Sequence, residues 1–186
     1  MGYLIELDKK IFLLINGLGH SGWDYLLAWP TLFGTFLLYP FVLIFMFIWG
    51  GRNILKKFVL VLFAGLVGGL FFPSILKEII SRPRPFNAFY DEIAQGTVVV
   101  NTFFQVYTSN SFPSGHSALV FSVAASLNYL YGNKLWILYL FAGLVGLTRI
   151  YVGAHFPSDV IAGALVGIIG AKIALRFAGS KAELLH

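Results

Sequence analysis

Residues 57–76 read KFVLVLFAGLVGGLFFPSIL, and one lysine and one serine are the only polar side chains among them. A helix of about 20 apolar residues crosses the hydrocarbon core of a bilayer, so this stretch predicts a transmembrane span. The whole chain agrees, because 58% of its 186 residues are hydrophobic and only 11% are charged, against roughly 25% in soluble domains. The apolar runs are too long for the ~10-residue alternating strands of a membrane barrel. We therefore predict an all-α fold, a polytopic transmembrane helical bundle.

Four further apolar runs predict spans of the same bundle, in a single domain over residues 1–186. They cover residues 25–49, 117–131, 134–152 and 158–178. Pro30 and Pro40 interrupt the first run, but dividing residues 21–51 into two pieces of about 13 residues would leave both short for a bilayer. Residues 5–18 mix apolar and charged side chains, which favours a sixth helix lying in the membrane interface over a sixth span.

Basic residues between and after these runs predict the orientation of the bundle. By the positive-inside rule they belong on the cytoplasmic side: Arg52, Lys56, Lys57, Lys134, Lys172, Arg176 and Lys181. The long loop over 77–116 and the junction over 149–159 then lie on the opposite side. We expect a multi-pass protein of the cell (plasma) membrane with these two segments on its extracytoplasmic face.

The remaining polar residues fall near span ends on that outer face, where ionisable groups are costly and usually functional. In KEIISRPRPF (77–86), Lys77 ends a span and two prolines stiffen the turn that holds Arg84. In FPSGHS (112–117), Ser114 is a candidate N-cap and Gly115 lets the backbone approach a ligand closely. The free N–H groups of that helix N-terminus suit an anion, phosphate above all.

The third polar stretch is TRIYVGAHFPSDV (148–160). Arg149 closes a span, His155 lies in the turn, and Asp159 falls in the first turn of the last helix, from which it can reach a ring nitrogen of His155. Each stretch alone also fits capping or snorkelling residues at the interface. Together they place three cations beside two histidines and a carboxylate: Lys77, Arg84, Arg149, His116, His155 and Asp159.

Three cations are enough to surround the oxygens of a phosphate dianion. Histidine and aspartate are also zinc ligands, but the surrounding cations would repel a divalent metal, so we predict no metal and no cofactor. The chain has no G-x-S-x-G elbow of a serine hydrolase. The site therefore suits phosphoryl transfer to one histidine, with the other histidine as the acid.

These stretches resemble the type 2 phosphatidic acid phosphatase superfamily, whose motifs are K-x6-R-P, P-S-G-H and S-R-x5-H-x3-D. The chain matches them in order from Lys77 to Asp159, and Thr148 replaces the usual serine of the third motif. Within this superfamily, the chain most resembles the bacterial integral-membrane branch, which includes phosphatidylglycerophosphatases. The resemblance implies a lipid phosphatase without Mg²⁺.

The resemblance also implies a role for each matched residue. His155 would be the nucleophile that forms a phosphohistidine, oriented by Asp159. His116 would protonate the leaving oxygen and later help to activate water. The phosphoryl oxygens would be held by Lys77, Arg84, Ser114, the Gly115 amide and Arg149. Arg82 is expected to lie outside this set, in a second layer or at the surface.

Phosphatidylglycerol phosphate is the substrate we favour from the resemblance, with undecaprenyl pyrophosphate or phosphatidic acid as alternatives. A non-catalytic anion or lipid binder, or a transporter, is the alternative of a different class. The expected partners are a lipid phosphate and the bilayer, with neither nucleic acid nor an obligate protein partner. Loop aromatics either cover the headgroup or form an interfacial belt: Phe86, Phe89, Tyr90, Phe103 and Phe104. Small residues in AGLVGG (64–69) and AGALVG (162–167) predict close helix packing.

Overall fold

A computed structural model describes residues 2–19, 24, 28–49, 53–103, 106–132 and 135–179, and every regular element in these ranges is helical. In chain order the elements are α1 (Gly2–Asn16), a 3₁₀ helix (Trp29–Gly34), α2 (Leu38–Trp49), α3 (Ile54–Gly65), a π-helical turn (Leu66–Phe71), α4 (Phe72–Ile80), α5 (Pro85–Ala88), α6 (Tyr90–Ala94), α7 (Gly115–Tyr131), α8 (Ile137–Tyr151) and α9 (Pro157–Phe177). The predicted all-α class is confirmed.

The exterior of the bundle is apolar, as a bilayer requires. Two helical stretches are long and apolar enough to cross a membrane, α9 and one within Ile54–Ala94 that is helical without a break over 54–80. Along α9 the large side chains point outward and the small ones inward. Ile161, Leu165 and Ile169 are each more than half exposed, whereas the buried side of the helix carries glycine and alanine. This pattern is typical of a helix that packs closely on its neighbours and faces lipid.

Helix α7 lies in the centre of the bundle, and glycines let the other helices approach it. A Cβ on Gly167 would run into the carbonyl of Ala118, and one on Gly69 would lie 2.8 Å from the Cα of Leu119. A Cβ on Gly68 would lie 2.7 Å from the carbonyl oxygen of Gly167. The close packing predicted for residues 64–69 and 162–167 is therefore confirmed.

The predicted span over 25–49 is wrong as a single helix. Residues 25–27 lie outside the described ranges, and the chain from 28 to 49 divides into the 3₁₀ helix, a turn over 35–37 and the twelve residues of α2. Both contacts of this region with the motif residues come from the 3₁₀ helix, before the break: Thr31 accepts a hydrogen bond from the Arg149 guanidinium at 2.5 Å, and Gly34 lies directly against the His116 ring.

The helices run alternately between two ends of the bundle. The first, which we call the motif end, holds residues from all three motifs at helix termini: Lys77, Ser114, Arg149 and Asp159. At the second, which we call the cationic end, the Lys57 ammonium lies 5.1 Å from the centre of the Tyr131 ring. Lys172 and Arg176 line a surface cavity there with Tyr129. The motifs and these basic residues therefore occupy opposite ends.

Helix α1 packs across the motif end. Its buried residues Asp8, Phe12 and Asn16 are four apart and share one face. Asp8 accepts the Ser158 N–H at 2.9 Å, and Asn16 donates to the carbonyl of Tyr151 at 2.8 Å. The structure thus has a helix where an interfacial one was predicted over 5–18.

Candidate active site

The motif end brings every predicted site residue into one neighbourhood. Lys77 lies in the last turn of α4, Arg84 follows in the loop, and Arg149 lies in the last turn of α8. The charges of these three residues and the ring of His155 all act on His116. A cluster of this kind, with three cations around two imidazoles, is a strong attractor for an anion.

The ring of His155 is buried between a carboxylate and a guanidinium. Its Nε2 lies 3.2 Å from Nη1 of Arg84, and its Nδ1 lies 3.7 Å from Oδ2 of Asp159. Arginine only donates hydrogen bonds, so Nε2 is the unprotonated nitrogen and Nδ1 carries the hydrogen. The direct histidine–aspartate contact expected from the sequence is longer than a hydrogen bond, and the hydroxyl of Ser111 lies beside both groups, 3.4 Å from Nδ1.

Burial is the largest cause of a pKa of about 3 for His155; the hydrogen bond and charge of Asp159 raise the pKa against it, and the charges of Arg84 and Arg149 add to the lowering. The ring is therefore neutral at physiological pH, which leaves the Nε2 lone pair available. Burial and the neighbouring Arg149 lower the pKa of Arg84 to about 10, so this guanidinium remains charged. A neutral nucleophile beside a fixed cation suits attack on an anionic group.

Three donors hold the carboxylate of Asp159. The Ser111 hydroxyl donates to Oδ2 at 2.5 Å and the Phe156 N–H at 2.8 Å, while Arg82 donates to Oδ1 at 2.6 Å. The second terminal nitrogen of Arg82 donates to Asp8 on α1 at 2.6 Å. Arg82 therefore lies behind the carboxylate in a second layer, as the sequence predicted, and it connects α1 to Asp159.

The cations of the cluster are held mainly by backbone carbonyls and one aromatic ring. Arg84 donates to the Ser109 and Ala154 carbonyls at 3.0 and 2.9 Å, and Lys77 donates to the Asn110 carbonyl at 2.9 Å. Tyr107 places its ring centre 5.0 Å from the Arg84 guanidinium carbon and 5.1 Å from that of Arg149, within cation–π range. Because these partners are neutral, the positive charge stays available to an anion.

Arg149 and the start of α7 also face this cluster. Arg149 is fully buried, and its Nε has no hydrogen-bond partner among the described residues. Ser114 is the N-cap of α7, accepting from the N–H and the hydroxyl of Ser117 at 3.4 and 3.0 Å. A Cβ on Gly115 would meet nothing within 4 Å, so there is open space beside the first residue of α7. A helix N-terminus next to open space can take an anion.

Sequence reasoning missed the segment 107–111, YTSNS, which supplies contacts to most of the cluster. Tyr107 lies beside two arginines, while Ser109, Asn110 and Ser111 bond Arg84, Lys77 and Asp159. The available signal was a run of polar residues directly before FPSGH in an apolar chain. A loop has no periodicity from which its contacts follow.

The loop aromatics do not form one layer. Phe89 is buried, with its ring centre 6.0 Å from that of Phe12, and Phe103 stacks on Tyr151 at 5.4 Å. Tyr90 is exposed, and Phe104 lies outside the described residues. Because Phe89 is buried in the fold, the prediction that it covers a headgroup or lies in an outer belt is wrong for that residue. For Phe103, which is half-buried, it stays a prediction.

Comparison with known proteins gives consistent matches. Residues 57–182 match the PAP2 superfamily. Over 92% of its length the chain is 30% identical to undecaprenyl-diphosphatase BcrC of Bacillus subtilis, covering 84% of that protein. The lipid A 4'-phosphatase of Bacteroides thetaiotaomicron is 28% identical, over 90% of this chain and 75% of that one.

Two solved structures have the same fold. LpxE of Aquifex aeolicus is 34% identical, with a TM-score of 0.70 over 90% of this chain and 93% of that one. A PAP2-type phosphatidylglycerolphosphate phosphatase of Bacillus subtilis is 23% identical, with a TM-score of 0.68 over 96% and 87% of the two chains. At this low identity, the similarity to the Bacillus subtilis structure shows a shared fold and nothing more.

Proposed function

This chain belongs to the PAP2 superfamily and is a phosphatase, and from that premise we propose that it removes a phosphate from a membrane lipid through a phosphohistidine intermediate. The family and the enzyme class predicted from the sequence are confirmed. The intermediate, the residue roles and the substrate are the proposal.

The observation that carries the proposal is the position of His155, with a guanidinium at Nε2 and a carboxylate group behind Nδ1. The lone pair of Nε2 points toward the cation cluster, where a phosphoryl group would bind. Arg84 would release Nε2 when the substrate arrives and hold a phosphoryl oxygen instead. The nucleophile and the charge that neutralises its target thus come from adjacent groups.

The reaction divides into two balanced steps. In the first, the Nε2–P bond forms, the bond between phosphorus and the lipid oxygen breaks, and His116 gives that oxygen a proton. In the second, water attacks phosphorus, its proton returns to His116, and the Nε2–P bond breaks to release inorganic phosphate. The hydrogen on Nδ1 stays in place throughout, beside the negative charge of Asp159.

We assign the phosphoryl oxygens to the groups that surround the open space: Lys77, Arg84, Ser114, the Gly115 amide and Arg149. The unpaired Nε of buried Arg149 supports its role, because an unsatisfied buried donor is costly and a phosphoryl oxygen would satisfy it. No metal ion enters these steps, since the cations supply the charge that a metal would otherwise provide.

Phosphatidylglycerol phosphate remains the favoured substrate. Three cations suit one phosphoryl group, and the fourth cation of this cluster, Arg82, is engaged by Asp8 and Asp159, so it does not serve a second phosphate. Undecaprenyl pyrophosphate is the second candidate, favoured by the 30% identity with an undecaprenyl-diphosphatase. Lipid A is a further candidate substrate, because four of the similar proteins are lipid A phosphatases.

We further propose five membrane crossings, over residues 28–49, 54–80, 115–131, 137–151 and 157–177, with α1 as a sixth helix on the surface. Every hydrogen bond of α1 named above is to a residue at the motif end, which supports a surface position. With the cationic end in the cytoplasm, the site opens on the extracytoplasmic face of the plasma membrane. A lipid phosphate reaches it there while its tails stay in the bilayer.

A substrate panel tests the proposal. Purified full-length protein in detergent is given phosphatidylglycerol phosphate, phosphatidic acid, undecaprenyl pyrophosphate and lipid A, with EDTA throughout, and released phosphate is measured. We expect phosphatidylglycerol phosphate to be hydrolysed fastest and EDTA to have no effect. Preference for the pyrophosphate or lipid A would overturn the substrate assignment alone.

Two variants test the mechanism in the same assay. His155→Ala is expected to lose at least about 10³-fold in kcat, and His116→Ala to lose less with a substrate whose leaving group needs no proton. An unchanged rate for folded His155→Ala would reject the nucleophile. Binding without phosphate release by the wild-type protein would make the site that of an anion or lipid binder.

A further inference from the structure

Ser111 is a wholly buried hydroxyl outside the three motifs. Its backbone N–H donates to the Arg82 carbonyl at 2.7 Å, which fixes the residue behind the cluster. Its Oγ lies 2.5 Å from Oδ2 of Asp159 and 3.4 Å from Nδ1 of His155. The hydroxyl therefore lies beside both groups and contacts each of them, while the two groups are themselves 3.7 Å apart.

The direction of each hydrogen bond follows from the partners. A carboxylate only accepts, so the Ser111 hydroxyl hydrogen points to Asp159. A lone pair of Oγ is then left for Nδ1. Arg84, which only donates, faces Nε2 at 3.2 Å, so the ring hydrogen lies on Nδ1 and points to the serine. The contacts thus form one chain, from the ring N–H to the hydroxyl and from the hydroxyl to the carboxylate.

We propose that Ser111 is a positioning residue for the reaction, holding His155 in the tautomer whose Nε2 is free to attack phosphorus. The inference rests on the proposed phosphohistidine mechanism. Once Nε2 is bonded to phosphorus, the ring is cationic and its N–H is at Nδ1. Ser111 connects that N–H to Asp159, so the same hydroxyl stabilises the intermediate. Without it, the ring can rotate or change tautomer, as when the orienting group of a catalytic triad is altered.

Kinetics of Ser111 variants test this role. Ser111→Ala is expected to lower kcat for lipid phosphate hydrolysis by about 10- to 100-fold, the effect of one hydrogen bond to a charged group, with KM changed by less than about 2-fold. Ser111→Thr keeps the hydroxyl and is expected to recover most of kcat. Ser122→Ala is the matched control, because Ser122 is equally buried and its hydroxyl donates to the Ala64 carbonyl at 2.8 Å, in the helix bundle. It is expected to lose stability but not kcat.

Several results would overturn the role. These are an unchanged kcat in Ser111→Ala, an equal loss in Ser122→Ala, or a loss that appears wholly in KM. If Ser111→Ala does not fold, Ser111→Cys keeps the side-chain volume with a much weaker donor, and full activity there would reject the inference. If the Ser111 predictions fail while His155→Ala is inactive, only the role of Ser111 is rejected and the proposed function stands. If His155→Ala is active, both the proposed function and the role of Ser111 are rejected.

Discussion

The buried ring of His155 shows how a single residue couples the site to the stability of the fold. Its pKa in the fold, about 3, lies below the ordinary histidine value of about 6.5. Between these two values the unfolded chain binds a proton and the folded ring does not. Stability contributed by the neutral ring is therefore complete above pH 6.5 and is lost as the pH falls toward 3.

This linkage predicts a difference between wild type and His155→Gln. Each pH unit below 6.5 lowers the free energy of unfolding of the wild type, relative to the variant, by up to about 1.4 kcal/mol. From pH 6.5 to 5 we expect a loss of about 2 kcal/mol, measured by unfolding in detergent. Subtracting the variant removes contributions from His116, Lys77 and the carboxyl groups. Parallel stability curves would show that the folded ring is protonated as readily as the unfolded one.

At this scale, residue types and spacing were enough to predict which polar residues come together at the motif end. Lys77, Arg149 and His155 lie where the motifs indicated, because span ends at one membrane face must come together. Ser111 and Tyr107 were not predictable, since their contacts depend on the path of the loop. That path is fixed by long-range bonds such as Ser111 N–H to the Arg82 carbonyl, which no local pattern records.

At the scale of helices, glycine decides how closely α9 approaches the start of α7. A Cβ on Gly163 would run into the carbonyl of Ser114, the N-cap residue of the helix that carries His116. Gly143 on α8 offers a comparison, because a Cβ there would meet nothing within 4 Å. Both are helical glycines, so they differ mainly in the space beside them.

We expect Gly163→Ala to destabilise the protein by about 1–3 kcal/mol, as overpacking of a close contact does. It is also expected to lower phosphate release, because the strain falls on the backbone beside Gly115 and His116. Gly143→Ala is expected to be neutral or to stabilise by up to about 1 kcal/mol through helix propensity. Thermal unfolding and activity of the two variants check this, and equal effects would exclude the packing explanation.

Helix predictions succeeded where apolar runs were uninterrupted, and α7, α8 and α9 begin and end within a few residues of the predicted bounds. They failed at 25–49, where hydropathy gives no sign that Thr31 bonds Arg149 and Gly34 packs on His116. Proline at 30 and 40 was visible in the sequence, but neither residue showed that the break falls at 35–37, between the 3₁₀ helix and α2.

At the scale of the whole molecule, the two ends of the bundle hold different sets of basic residues. The cations of the proposed site, the long loop and α1 share the motif end, and Lys57, Lys172 and Arg176 lie at the other. With the positive-inside rule, this arrangement supports the proposal that the substrate binds on the extracytoplasmic side. Helix α1 is connected to the same end, because Asp8 on α1 accepts a hydrogen bond from Arg82, which also donates to Asp159. That residues 1–186 act as one domain remains a prediction.

Because the sequence contains no cysteine, a single introduced thiol reports the position of each end. Gln95 is exposed in the long loop at the motif end, and Phe177, the last residue of α9, is exposed at the other end. Neither Gln95→Cys nor Phe177→Cys removes a charge. In intact bacterial cells that express the protein, a membrane-impermeant maleimide is expected to label Gln95→Cys at once. It should label Phe177→Cys only after the membrane is permeabilised, because the proposed orientation places that end in the cytoplasm. Both variants must retain phosphatase activity for the comparison to count. The reverse labelling pattern would place the site in the cytoplasm and require a lipid phosphate on the inner leaflet.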